Sequence, residues 1–75
     1  MKITGVFTND EYLLTVSFDN QHTATIDMRK KLHTARFSEL NDLNLFRSAK
    51  TDGRAILWAN GISISTSEIL EILGK

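Results

Sequence analysis

Arg29-Lys30-Lys31, followed by His33, Arg36 and Phe37, is the densest group of chemistry-bearing side chains in the sequence. Cations at this spacing would contact several phosphates of a nucleic acid, and Phe37 would stack on a base. The competing reading is a solvated loop whose charges are answered by acids elsewhere, and in a domain of balanced charge it is the stronger one. Other groups carry less. His22 and His33 have no third ligand at metal-site spacing, so zinc is not expected. Asp19 and Asp27 could suggest a carboxylate pair, but each closes an expected strand, where Asp favours a turn. Ser63, Ser65, Thr66 and Ser67 include no Gly-x-Ser-x-Gly elbow and no partnered base, so helix capping explains them better than nucleophilic attack. There is no cysteine, which removes disulfides and thiolate metal sites. This set implies no catalytic residue, no metal, no cofactor and no small-molecule substrate; the chain is read as not an enzyme.

The elements that position these residues are mostly strands. Ile3 to Thr8 is short and β-branched and stops at Asn9-Asp10. In Tyr12 to Phe18, Tyr12, Leu14, Val16 and Phe18 alternate against Leu13, Thr15 and Ser17. Asp19-Asn20-Gln21 turns the chain, and His22, Ala24 and Ile26 alternate against Thr23, Thr25 and Asp27 in a third strand. From Met28 to Leu45 the two-residue period is lost, which predicts a loop with short helical turns, the last starting near Asn41-Asp42. Arg47 to Thr51 is a further expected strand, and Asp52-Gly53 a hairpin turn.

The structural centre is Arg54 to Ser65. Ile56 and Trp58 lie on one face, while Ala55 and Leu57 make the other apolar too, as in a strand covered on both sides. Asn60-Gly61 predicts a type I′ turn, with positive φ at both central positions. The lone Trp58 on such a strand reads as core rather than as a ligand pocket. Ser65 and Glu68 have the spacing of a capping box, opening a helix with Ile69, Leu70, Ile72 and Leu73 as its apolar stripe and Gly74 as its stop. The architecture that follows is α+β: a mainly antiparallel sheet of five to six short strands with a C-terminal helix packed on it.

Length and charge set the bounds. Seventy-five residues make one small domain, 1–75, which buries only about 60–65% of its unfolded surface. Nine basic and nine acidic side chains give a formal net charge of zero, which removes any whole-molecule attraction to phosphate or anionic membrane. The N-terminus alternates and lacks the pattern of a signal peptide, and no stretch approaches membrane-spanning length. A cytoplasmic protein is the expectation.

One resemblance adds to this. The order Tyr12-Leu13-Leu14-Thr15-Val16-Ser17-Phe18-Asp19-Asn20, Asp27, Phe37-Ser38-Glu39-Leu40, Phe46 and Ile56-Leu57-Trp58-Ala59-Asn60-Gly61 resembles the small bacterial family of domain of unknown function 2442. The likeness covers nearly the whole chain, and Trp58-x-Asn60-Gly61 is its most specific piece. Gln21 and Arg36 stand where the family usually has Gly, and Ser63 where Asp is common; the first difference implies a looser hairpin turn. The resemblance implies an α+β fold. It also implies relatives that act as small accessory or toxin–antitoxin-like proteins, some with a following helix-turn-helix domain that this chain is too short to include. It carries no catalytic residue.

Two functions are therefore expected. The first is a protein-interaction module, with a protein partner or a second copy, acting as the smaller member of a toxin–antitoxin-like or regulatory pair. The alternative is a nucleic-acid-associated accessory protein using Arg29, Lys30, Lys31, His33 and Arg36, with weak or indirect binding. Trp58, Asn60 and Gly61 are expected to be structural.

Overall fold

A computed structural model describes residues 2–73. Six strands fall into two antiparallel meanders, β1 (Ile3–Thr8), β2 (Leu13–Phe18) and β3 (Thr23–Asp27), then β4 (Lys50–Thr51), β5 (Ala55–Leu57) and β6 (Ser63–Ser65). Between them run two 3₁₀ turns, Lys31–His33 and Ser38–Asn41, and the single-turn helix α1 (Leu43–Phe46). Helix α2 (Thr66–Leu73) follows β6. The fold is the α+β class that the sequence implies, with the six strands divided between two sheets.

Alternation explains which side of each strand is inside. Leu14, Val16 and Phe18 of β2 and Ile26 of β3 point into one core with Ile56, Trp58 and Ile64 of the second sheet. Leu32, Phe37, Leu40 and Phe46 of the middle segment close that core, and Ile69 of α2 seals it. Trp58 is 4% exposed, and its indole N–H donates to the Phe46 carbonyl at 3.0 Å, so the ring's polar edge is satisfied inside the core. Asp42 caps α1 by accepting the Asn44 amide.

The Asn60-Gly61 turn of the β5–β6 hairpin differs from the type I′ expectation, and the β2–β3 turn shares its form. At the β5–β6 turn, the Gly61 amide bonds the Trp58 carbonyl and the Trp58 amide bonds the Ile62 carbonyl. Ala59 and Asn60 form the turn, and only Gly61 takes positive φ, at 91°. This is a type I turn followed by one left-handed residue, a geometry that Asn-Gly serves equally well. The first hairpin repeats it: Gln21 bonds Phe18, Phe18 bonds His22, and Gln21 carries φ 68°. In each, the Asn side chain (Asn20, Asn60) accepts the amide two residues on.

Five other expectations are corrected. Tyr12 has φ 63° and so lies outside β2. The strand expected over Arg47 to Thr51 shrinks to Lys50–Thr51, because Arg47 closes α1 by bonding back to Leu43. Leu57 is 38% exposed, so β5 is the middle strand of its sheet but is covered on one face only. On α2, Ile69 alone is fully buried, while Leu70 and Leu73 reach solvent, because one face suffices to seal so small a core. The expected Gly74 stop lies outside the described residues. Ser65 does accept the Glu68 amide, but Glu68 turns its carboxylate to Arg36 rather than back to Ser65.

Candidate functional site

The basic segment is dispersed by its own partners. Met28 is fully buried, and its amide bonds the Tyr12 carbonyl, which fixes where the chain leaves β3. The next residue, Arg29, folds back on Asp27. Its guanidinium holds both carboxylate oxygens, Nη2 to Oδ2 at 2.6 Å, and its backbone amide holds Oδ1. This Arg29 contact holds the Asp27 carboxyl down to about 2, and the same pairing raises Arg29 further above its ordinary value.

Arg36 is committed in the opposite direction. It reaches 32 positions along the chain to Glu68 on α2, with Nη1 to Oε2 at 2.6 Å and Nη2 to Oε1 at 3.1 Å. Nη2 also donates to the Ser63 carbonyl on β6, and the guanidinium lies 4.8 Å from the Phe37 ring centroid. Glu68 is held below the usual carboxylate range chiefly by this Arg36 contact. Phe37 itself is buried, so its ring is part of the core and not a platform for a base. Lys30 and His33 are exposed, and Lys31 is half-buried at the mouth of a groove of about 330 Å³ between this segment and α2. Glu68 and Glu71 stand in the same groove opposite Lys31 and Arg36, so its charges balance.

The five sequence-predicted groups are thus not one surface: Arg29 is tied to β3 and Arg36 to α2 and β6, leaving Lys30, Lys31 and His33. Asn60 and Gly61 shape the second hairpin, and Asn60 also donates to the Glu39 carboxylate. His22 stands exposed beside the first turn. Among the described residues no three His, Asp or Glu side chains gather into a metal-binding group, and no helix is long and apolar enough to cross a membrane.

The sheet edges hold a feature that no sequence motif marks. The Phe18 amide bonds the His22 carbonyl and the Met28 amide bonds the Tyr12 carbonyl, which fixes the phase of β3 against β2 from both ends. Ala24 and Ile26 therefore direct their backbone groups at β2, and Thr23, Thr25 and Asp27 direct theirs away from it. The other edges are defended. The β1 edge is distorted by a register shift between Ile3 and Gly5, and it lies beside β4, with the Ile3 amide on the Gly53 carbonyl. Beyond β1, Asp10 meets Arg47 at 3.5 Å. On β6 the Ser63 carbonyl is capped by Arg36. Strand β3 has regular pairing with β2, no bulge and no charge from Thr23 to Ile26. The sequence signal was available in Thr23-Ala24-Thr25-Ile26, a strand without Lys, Pro or Gly; which strand stays at an edge is a matter of topology. Comparison of the chain with models of known protein families, with curated proteins and with solved structures finds no match.

Proposed function

We propose that this chain is a non-catalytic protein-interaction module, the smaller partner of a toxin–antitoxin-like or regulatory pair, and that it accepts an extended strand along β3. The observation that carries this reading is the regular β3 edge, uncharged from Thr23 to Ile26, beside three edges that are bulged, packed or capped. Strand addition gives affinity through main-chain hydrogen bonds and needs no preformed pocket, which suits a domain of 75 residues. The dispersal of Arg29 and Arg36 into ion pairs leaves the nucleic-acid alternative with fewer free cations to set against a chain of zero net charge.

The test compares tagged wild-type protein with Thr25→Pro in native cells. Proline at an edge position whose N–H faces outward removes the donor that the partner uses while sparing the β2 pairing. A protein retained by the wild type and lost with the variant is the expected outcome. An unchanged set of co-purifying proteins removes the β3 reading. Titration with mixed-sequence duplex DNA near physiological salt is the companion experiment. Micromolar binding abolished by Arg29→Glu, Lys30→Glu and Lys31→Glu together would replace the protein-partner reading with the nucleic-acid one.

A further inference from the structure

We infer that the strand accepted by β3 is β3 of a second copy, paired antiparallel about a two-fold axis at Thr25; this rests on the strand-acceptor reading and names its partner. The register follows from the backbone phase. Only Thr23, Thr25 and Asp27 present outward amide and carbonyl groups, so full overlap of two β3 strands sets Thr25 opposite Thr25 and Thr23 opposite Asp27 of the second copy. Ala24 and Ile26 then face each other across the axis on the core side, an apolar cross-strand pair contributed twice. On the outer face, the Thr15 and Thr25 hydroxyls already lie 3.2 Å apart, and the pairing extends this row of hydroxyls through the second copy's Thr25.

Charge selects both the orientation and the occupant. The turn before β3 carries the exposed acid Asp19, and the segment after it carries Lys30 and Lys31. Antiparallel pairing brings the Asp19 turn of each copy toward the exposed Lys30 of the other, two favourable contacts related by the axis. A parallel arrangement would stack the two basic segments on one another. A strand of this chain is therefore complementary to its own edge in hydrogen bonding, side-chain pairing and charge. Lys30, one of the basic residues that first suggested phosphate binding, becomes the complement of the Asp19 turn. The product is one continuous sheet with three strands from each copy, in which neither β3 remains an edge.

The experiment is sedimentation equilibrium on the purified full chain from micromolar to millimolar concentration. The wild type is expected to reach twice the 8.5 kDa chain mass. Thr25→Lys and Thr25→Glu each set like charges opposite at the axis and are expected to weaken the dimer about tenfold or more. An equimolar mixture of the two is expected to restore a dimer containing one chain of each. Because Thr25 is exposed, neither variant threatens folding, which circular dichroism checks. A wild type that stays at 8.5 kDa throughout overturns the inference, as does a dimer indifferent to both variants or a mixture that recovers nothing. A monomeric wild type that still loses a cellular protein on Thr25→Pro overturns self-pairing alone and leaves the strand-acceptor reading standing.

Discussion

Trp58 fixes one position from three directions: it is buried, its indole N–H is bonded, and it opens the second turn. Trp58→Ala empties the largest side chain of the core and is expected to cost about 3–5 kcal/mol, comparable to the whole stability of so small a domain. Trp58→Phe keeps most of the apolar area but leaves the Phe46 carbonyl with only the long 3.4 Å bond from the Ala49 amide, and should cost about 1–2 kcal/mol. Chemical denaturation measures both; a Trp58→Ala protein melting beside the wild type would contradict the core assignment. Gln21 offers the opposite sign. It holds φ 68° at an exposed position where Gly61 holds φ 91° in the matching turn. Gln21→Gly should stabilise by about 1 kcal/mol through relief of left-handed strain, less the entropy that glycine adds to the unfolded chain. Gly61→Val should destabilise by about 1–3 kcal/mol, and since a Cβ there meets nothing within 4 Å, that cost is one of backbone conformation alone.

Among the elements, strands with a clean two-residue period were legible in the sequence. Ile3–Thr8 has the expected bounds, and β2 and β3 expose and bury the expected faces. What failed depended on context that a local pattern does not hold. Asn60-Gly61 marks a turn, but whether Asn60 shares the positive φ depends on how many residues the neighbouring strands leave to the loop. Leu57, Leu70 and Leu73 look like core in sequence and reach solvent because a core this small fills before they are used. The basic run was visible, but its neutralisation was only half so. Arg29 meets an acid two positions away, whereas Arg36 meets Glu68 through tertiary folding. These two pairs make the elements acid-labile in a defined direction. Both carboxyls are held below their ordinary values when folded, so their contribution is complete above the unfolded carboxylate range near pH 4. It is lost as pH falls toward 2, the folded value of Asp27. The melting temperature should therefore hold from pH 7 to about 5 and drop below about 4, and Asp27→Asn or Glu68→Gln should each make that drop shallower. Both pairs are largely exposed, so salt should shrink the difference.

At the scale of the whole molecule, each sheet joins strands that are neighbours in sequence, and among the described residues no ladder crosses from one sheet to the other. Every strand thus meets its partner after a short search, since loop closure between adjacent strands forfeits little chain entropy. Hairpins of this kind form in about 1–10 μs, and a chain without proline has no prolyl isomerisation to wait for. The late event expected from this topology is the docking of the two meanders through the segment that links them. The indole of Trp58, bonded to the Phe46 carbonyl on that segment, lies in the core that both meanders share, so its burial is expected to be complete only when they meet. The protein's single tryptophan is thereby an intrinsic clock for the last step of its own folding.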